Sequence, residues 1–205
     1  MKIAVLANDD SWNELVTDIA GIDFIRCHSF SGLIENSGAD ACFNLLNNAA
    51  DMDYSIFYNP VFINSVHITS QKIKAGKNVF RINGWSGFIQ RESWEITGNP
   101  DSKATDVLNG LQKKFVPVPD EPGFIAARII AMIVNEAWFA KEENVSSEND
   151  IDIAMKLGTN YPYGPFEWGR KIGIRQIFLL LKTLSMHDKR YIPSLLMEQE
   201  SEKII

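Results

Sequence analysis

The turn that follows the first predicted strand carries side chains that could do chemistry, in the run Asn8-Asp9-Asp10-Ser11-Trp12. A dinucleotide-binding turn at this place needs glycines, because backbone N–H groups must approach a pyrophosphate at a helix N-terminus. This run has no glycine, and two carboxylates stand where a phosphate would lie. It therefore argues against dinucleotide binding in the usual manner. Asp9 and Asp10 read most simply as turn or N-cap residues, with a paired-carboxylate metal site as the alternative.

Arginine and histidine side chains are the other candidates for chemistry. A dinucleotide fingerprint places an acid after the second strand, where this chain has Arg26. An arginine there suggests a 2′-phosphate, but the turn lacks the glycines that would hold the rest of the cofactor. The three histidines, His28, His67 and His187, have no metal-ligand spacing to another histidine or to a cysteine. His28 closes a predicted strand, His67 lies within a predicted helix, and a structural role is favoured for all three.

Composition limits the classes of function. The chain has 205 residues, 45% of them hydrophobic and 22% charged, which fits one large domain or two small ones with a sizeable core. A net charge of −6 argues against nucleic acid and anionic membranes as partners. The N-terminal MKIAVLANDD reads as a strand rather than a signal peptide, and no apolar run reaches the ~20 residues that span a bilayer. Cys27 and Cys42 form no metal or redox motif, so a cytoplasmic protein with reduced thiols is expected.

The elements that must position these side chains alternate in type over residues 1–118. Short runs rich in β-branched and aromatic residues alternate with helical patterns, which predicts a mostly parallel α/β sheet. The predicted strands are 2–7, 22–27, 41–46, 54–58, 78–83, 93–97 and 115–118, and the predicted helices are 12–19, 62–74 and 105–115.

Residues 119–205 are predicted to be helical after a boundary marked by Pro117, Pro119 and Pro122. A helix over 124–143 is apolar nearly all round until Val134, which predicts burial, with its two internal charges paired to other elements. Ser147 and Asp150 predict the start of a helix that Gly158 ends. Residues 161–173 read as a Pro/Gly-rich aromatic loop, 174–184 as a helix with one apolar stripe, and 198–203 as a solvated end.

The helical half resembles the C-terminal domain of the 3-hydroxyacyl-CoA dehydrogenases. The matching segments are Asp120–Ile125, Arg128, Glu136-Ala137, Asp150–Gly158, Pro162–Glu167 and Ile172-Gly173. The resemblance implies an NAD-dependent enzyme of fatty acid metabolism, whose helical domain forms a homodimer and closes an acyl-CoA cleft against a Rossmann domain. It makes residues 1–118 a shortened, degenerate Rossmann-like domain and residues 119–205 the helical domain.

Four positions follow from the resemblance, residue by residue. The family's substrate-contacting serine falls at Phe62, its catalytic histidine at Asn83, and its catalytic or substrate-contacting asparagine at Ala127. The acid that orients the histidine is kept as Glu95, twelve residues after Asn83. Asparagine cannot take the hydroxyl proton as a base, which this reaction requires.

Three functions are compatible with these substitutions. A non-catalytic homologue without cofactor or metal is favoured, acting as a dimeric binding or regulatory protein for an acyl-CoA-like ligand. An active NAD-dependent oxidoreductase using His28 or His67 is the second. A different reaction in the remodelled cleft, with Glu95 as base, is the third. No nucleic acid or membrane partner is expected.

Overall fold

The computed structural model describes residues 1–203, which form two compact units, one from Met1 to Phe124 and a helical one that begins at Ile125. Each unit is described by itself below. Within the described residues, no helix combines the length and apolar character needed to cross a membrane.

The first unit is built on a seven-stranded sheet in the order β2-β1-β3-β4-β5-β6-β7. The strands are β1 (Lys2–Leu6), β2 (Asp23–Cys27), β3 (Ala41–Asn44), β4 (Val61–Asn64), β5 (Val79–Ile82), β6 (Ser93–Thr97) and β7 (Lys114–Val118). The helices of this unit are α1 (Asp9–Leu15), α2 (Phe30–Glu35) and α3 (Ser102–Gly110), with a 3-10 turn at Ala49–Asp51. Every strand pair is parallel except β5 and β6. The predicted α/β class is confirmed.

Both faces of the central strands are covered, which explains their continuous apolar runs. On one face the ring of Phe62 stacks on Phe43 at 4.7 Å between centroids and lies 5.5 Å from Phe80. On the other face Val61 and Ile63 pack with residues of β1, β3 and α2. Aromatic rings also belong to this second face, where Tyr54 and Phe57 pack on Phe30, so each face of the sheet has its own mixed core.

The predictions of a strand over 54–58 and a helix over 62–74 are wrong. Tyr54 turns inward, where its hydroxyl donates to the Ala49 carbonyl at 2.7 Å, while Tyr58 is 88% exposed. Residues 61–64 form β4, and irregular turns follow up to β5. A buried run of four residues has no exposed side to set its period, so periodicity cannot distinguish a short strand from a helix.

The carboxyl ends of the parallel strands meet along one edge of the sheet, called here the carboxyl edge. The chain passes from β1 to β2 on one side and returns to β3 on the other, so the strand order reverses between β1 and β3. Open α/β sheets bind ligands outside the carboxyl ends of their strands, at such a switch point. Four strands lead into asparagines at this edge: Asn8, Asn44, Asn64 and Asn83.

The helical unit contains α4 (Ile125–Glu142), α5 (Glu148–Thr159), α6 (Pro165–Ile172), α7 (Ile174–Ser185) and α8 (Leu195–Glu202). Helix α4 buries Ile130, Ala131 and Val134 but leaves Ile125 56% and Ile129 52% exposed. It is therefore buried on one side, not all round as predicted. Its Glu136 is exposed rather than buried against a partner.

Two further predictions for this unit are wrong. The predicted loop over 161–173 contains α6, which begins with Gly164 as N-cap and Pro165 in the first turn. Proline is favoured there because its missing N–H has no intrahelical partner to lose. The predicted solvated end is part of α8, which buries Met197 and Ser201. Ser194 caps this helix by accepting a hydrogen bond from the Met197 N–H at 3.1 Å.

Candidate functional site at the carboxyl edge

In the first strand–helix turn, the polar groups that a ligand could use are bonded to side chains of the protein itself. Asn8 is the N-cap of α1, and its Oδ1 accepts the Ser11 N–H at 2.8 Å. Asp9 forms an ion pair with Arg26, whose guanidinium lies 5.0 Å from the centre of the Trp12 ring. Asp9 and Asp10 are first-turn residues, so the capping residue is Asn8 rather than either aspartate.

This turn does not fit the pyrophosphate of a dinucleotide. The Ser11 N–H that could meet a phosphate is already used by Asn8, and the nearby cation of Arg26 is neutralised by Asp9. Two carboxylates in the first turn would repel an anion. Residues 1–203 also contain no group of three or more His, Cys, Asp or Glu side chains arranged to hold a metal ion.

Asn83 and Glu95 face each other across the one antiparallel pair of strands. The register pairs Ile82 with Ile96, so one further residue sets Asn83, just after β5, opposite Glu95 in β6. Residues 83–92 form the return from β5 to β6. Burial lowers the pKa of the Arg91 guanidinium, while the charge of Glu95 acts in the opposite direction. The carboxylate of Glu95 therefore lies within the field of a cation.

The structure corrects the position of Phe62. Its side chain is fully buried in the middle of β4 and stacked on Phe43, so it cannot contact a ligand at the edge. The residues of this strand that reach the edge are Asn64 and then Ser65, each at most 5% exposed. Ala127 is fully buried within α4 of the helical unit and offers no polar group.

Asn64 and Asn83, called here the asparagine pair, were not recognised together from the sequence. They end neighbouring parallel strands, where the register pairs Asn64 with Ile82, the residue before Asn83. With strands ~4.8 Å apart and a rise of ~3.3 Å per residue, their Cα atoms lie roughly 6 Å apart. A repeated signal was available, since the dipeptide Ile-Asn stands at the carboxyl end of both strands, as residues 63–64 and 82–83.

Each amide of the asparagine pair has one half in use. Asn64 Nδ2 donates to Asn47 Oδ1 at 3.3 Å and to the Leu45 carbonyl at 3.5 Å, whereas Asn83 Oδ1 accepts the Trp85 N–H at 3.4 Å. The Leu45 carbonyl can only accept and the Trp85 N–H can only donate, so these contacts favour this orientation of each amide. Asn64 Oδ1 and Asn83 Nδ2 are buried, and neither has a hydrogen-bond partner among the described residues. Within the described residues, the asparagine pair therefore has one acceptor and one donor that could bond a ligand.

Gly84 lies against Asn64 and leaves no room for a side chain at position 84. A Cβ at Gly84 would lie 2.7 Å from Asn64 Cβ and 3.0 Å from Asn64 Oδ1, closer than side chains approach. Its φ is not in the left-handed region, so the need for glycine is one of space.

His67 follows β4 in the loop at the same edge. Burial lowers the pKa of its imidazole, and the nearby charge of Arg81 lowers it further. His67 is therefore held neutral near pH 7, a form that could accept a proton. His28 is exposed at the end of β2, and no hydrogen bond or ion pair of its side chain joins it to Asn83 or Glu95 in the described residues.

A separate cavity of about 400 Å³ lies in the helical unit. Trp138, Phe166 and Ile174 form its apolar lining. The charges at its rim are paired among themselves, with Lys141 and Arg170 both contacting Glu148 at 2.5 and 3.5 Å. This cavity therefore offers no uncompensated charge to a ligand.

Comparison with known proteins gives matches concentrated in the helical unit. The family model for the 3-hydroxyacyl-CoA dehydrogenase C-terminal domain matches residues 123–202. The 3-hydroxyadipyl-CoA dehydrogenase of Escherichia coli (strain K12) is 44% identical over 108 residues, which cover 50% of this chain and 23% of that protein. A solved 3-hydroxybutyryl-CoA dehydrogenase of Escherichia coli K12 is 35% identical with a TM-score of 0.60, over 69% of this chain and 31% of that chain.

A more distant structure extends the likeness to the whole fold. The (S)-3-hydroxybutyryl-CoA dehydrogenase of Ralstonia eutropha is 16% identical with a TM-score of 0.67, over 98% of this chain and 93% of that chain. At this identity the likeness concerns the fold alone, a Rossmann-like unit followed by a helical one. By sequence, the chain spans less than a third of the two Escherichia coli proteins described. The helical unit, over residues 123–202, therefore matches the C-terminal domain of the 3-hydroxyacyl-CoA dehydrogenases.

Proposed function

We propose that this chain is a binding member of the 3-hydroxyacyl-CoA dehydrogenase family that does not transfer hydride and needs no cofactor. One observation carries the proposal. In the first strand–helix turn, the Ser11 N–H and the Arg26 guanidinium, which could meet a pyrophosphate, are already bonded by Asn8 and Asp9. Without a held nicotinamide, the family's chemistry has no hydride donor or acceptor. We place the protein in the cytoplasm, since Cys27 and Cys42 are buried free thiols.

The asparagine pair supports a bound ligand with a neutral polar group. An unpaired buried donor or acceptor costs about 1–3 kcal/mol, so a native site that keeps one of each is consistent with a ligand that completes both. A hydroxyl can complete either amide, since it can accept from Asn83 Nδ2 or donate to Asn64 Oδ1, whereas a ketone can only accept from Asn83 Nδ2. We therefore propose an acyl-CoA-like ligand that carries a hydroxyl group, bound without chemical change.

Glu95 as a general base remains the second candidate function, because it lies opposite Asn83 at the same edge. A base with a raised pKa would suit proton abstraction near neutral pH. The charges of Glu95 and Arg91 interact. We place catalysis second because the free amide groups of the asparagine pair suit hydrogen bonding to a neutral group rather than proton transfer.

The helical unit supports a homodimer. Helix α5 buries only Asp152, while Ile153 and Leu157 on its outer side are 43% and 83% exposed. Apolar residues spaced by four on an exposed helix face are typical of an interface. We propose that this face of α5 meets a second copy of the chain.

Calorimetry with 3-hydroxybutyryl-CoA, butyryl-CoA and acetoacetyl-CoA tests the ligand, and an NADH fluorescence titration tests the cofactor. We expect no NADH binding and about ten-fold tighter binding of the hydroxy ester, the equivalent of one good hydrogen bond. Asn83→Leu should abolish this preference. The matched control Asn48→Leu, at an exposed asparagine without a side-chain cap, should keep it. Micromolar NADH binding, or no binding of any CoA ester, would overturn the proposal.

A further inference from the structure

A fully buried arginine joins three segments of the first unit. Arg81, in β5, has a side chain with no solvent exposure. Its Nε donates to the Ser65 carbonyl at 2.9 Å, and its Nη2 donates to the Val66 and Glu121 carbonyls at 3.3 and 3.2 Å. Its Nη1 contacts Asp120 at 2.5 Å. One guanidinium therefore binds both the loop after β4 and the segment after β7.

Asp120 binds the same loop a second time. Its carboxylate accepts the Ser70 N–H at 2.9 Å and the Gln71 N–H at 3.3 Å. The Gly123 N–H donates to the Val66 carbonyl at 2.7 Å, so the two segments are also bonded directly. The edge loop, residues 65–71, and the exit segment, residues 119–124, thus share one set of polar contacts.

The two segments differ in what they lead to. The edge loop begins directly after Asn64, at the carboxyl edge, and contains His67. The exit segment runs from the end of β7 to Phe124, whose ring lies 5.3 Å from the Arg81 guanidinium, and Ile125 begins α4. Contacts of Arg81 and Asp120 therefore connect the neighbourhood of the asparagine pair with the residues that precede the helical unit.

A buried ion pair is not needed for stability alone. Apolar residues of similar volume often replace such pairs without loss, because desolvation of both charges offsets their attraction. Asp120 is the carboxylate that contacts Arg81 in the described residues, and the remaining acceptors of this guanidinium are main-chain carbonyls. Loss of the Asp120 charge would leave the cation buried with dipoles only.

We infer that Arg81 and Asp120 form a latch that makes the edge loop and the exit segment open and close together. While the Arg81–Asp120 contact is made, neither segment can move away without exposing the buried Arg81 guanidinium. When the contact is broken, both segments lose their hydrogen bonds to this guanidinium together. The latch is a conformational device that links the carboxyl edge to the segment entering α4, and it does not depend on which ligand is bound.

Hydrogen–deuterium exchange on the full chain tests the latch. In Asp120→Asn we expect exchange of residues 65–71 and of residues 119–124 to rise together, each by at least about ten-fold, as for loss of a charged hydrogen bond. The control Asp101→Ala removes a helix cap elsewhere in the unit, where Asp101 accepts the Ala104 N–H at 2.8 Å. It should speed exchange at the start of α3 only.

A double-mutant cycle distinguishes a latch from two separate anchors. In Arg81→Met the charge is gone, so adding Asp120→Asn should raise exchange of the two segments clearly less than it does in the wild type. The effect that stays is the loss of the Ser70 and Gln71 hydrogen bonds, which Asp120 accepts without Arg81. The double variant has no buried charge and serves as the folded reference if Asp120→Asn alone is unstable. Additive effects, or faster exchange in only one of the segments, would overturn the latch.

Discussion

At the scale of residues, the proposed function depends first on Asn83. Asn83 stands where the resemblance to the family places a catalytic histidine, and the register sets it opposite Glu95. Its amide is able to hydrogen-bond but unable to take up a proton, and its Nδ2 has no partner in the described part of the chain. Under the proposed function, Asn83 hydrogen-bonds a neutral group of the ligand at the position where the resemblance implies a base.

We expect Asn83→His to leave the protein without 3-hydroxyacyl-CoA dehydrogenase activity. General-base catalysis is typically worth ~10²–10⁴-fold, whereas holding the reactants in place lowers the barrier by ~7–11 kcal/mol. The turn at Asn8 and Asp9 does not supply that positioning for a dinucleotide. The measurement is NADH oxidation with acetoacetyl-CoA. Turnover by the wild type that Glu95→Gln abolishes would identify a working enzyme.

Asp120 should make the first unit sensitive to acid. Burial alone would raise the pKa of its carboxyl, but the Ser70 N–H and the Arg81 guanidinium outweigh burial and hold the pKa below its ordinary value of 3.8. A depressed folded pKa gives stability that is present above the unfolded pKa. This stability is lost as pH falls through the folded pKa, that is, below about 4.

Urea unfolding at pH 7 and pH 3 measures this effect. Asp120→Asn should cost about 2 kcal/mol at pH 7, because a buried cation loses its carboxylate but keeps three carbonyl acceptors, and less at pH 3. Asp9→Asn, at a pair whose aspartate is 84% exposed, should cost under about 1 kcal/mol at either pH. An equal loss from Asp120→Asn at both pH values would rule out the linkage.

At the scale of elements, one aspartate explains why the family signature spans two helices. Asp152 of α5 is 3% exposed, and its carboxylate accepts the Phe166 and Glu167 N–H groups at 2.7 and 3.1 Å. Glu167 in turn accepts the Gly164 N–H at 2.8 Å. The aspartate of α5 and the turn Gly164–Glu167 are thus one capping structure for α6, which requires both sequence segments together.

Gly164→Ala should therefore be strongly destabilising. A Cβ at this position would lie 2.5 Å from the backbone Cα of Asp152, which cannot move away as a flexible side chain would. We expect a loss of at least about 2 kcal/mol in chemical unfolding. Gly158→Ala is the matched control, since no atom lies within 4 Å of its Cβ position in α5. It should be neutral or stabilise by up to about 1 kcal/mol. Equal effects of the two changes would contradict this account.

The same elements show what sequence reasoning could reach. Strand β6 was predicted with its observed bounds, because Trp94 and Ile96 alternate with more exposed neighbours. The N-cap Ser147 was recognised for a local reason, the hydrogen bond from the Asp150 N–H to its side chain. Helix α6 and strand β4 were missed because the cap from Asp152 and the burial of four successive residues depend on tertiary contacts.

The same contrast between local signals and tertiary contacts applies to the candidate site. The spacing of Asn83 and Glu95 came from the resemblance, and the register of β5 and β6 agrees with it. Their roles stay a prediction. Asn64 was missed because the resemblance placed Phe62 at the family's serine position, and because the wrong helix over 62–74 left no strand end at Asn64. The Arg81–Asp120 pair joins residues 39 apart, a contact that no local pattern reveals.

For the whole molecule, the remaining question is how the chain associates. The proposed homodimer uses the outer face of α5, a helix that packs mainly against α6 and turns Ile153 and Leu157 to solvent. An apolar stripe of this kind on a free monomer would favour nonspecific association, whereas a second copy would cover it. An isologous contact also needs only one patch, because each subunit offers the same surface.

Analytical ultracentrifugation at micromolar concentration should give a species of twice the 23.1 kDa chain mass. Leu157→Glu, at a side chain 83% exposed in the structure, should yield monomers with an unchanged circular dichroism spectrum, because a desolvated carboxylate in the interface has no partner. Leu195→Glu is the matched control, at a leucine 65% exposed at the start of α8 and outside the proposed face. It should remain dimeric. A wild type that sediments as a single chain would remove the dimer from the proposal, and dissociation by Leu195→Glu alone would move the interface from α5 to α8.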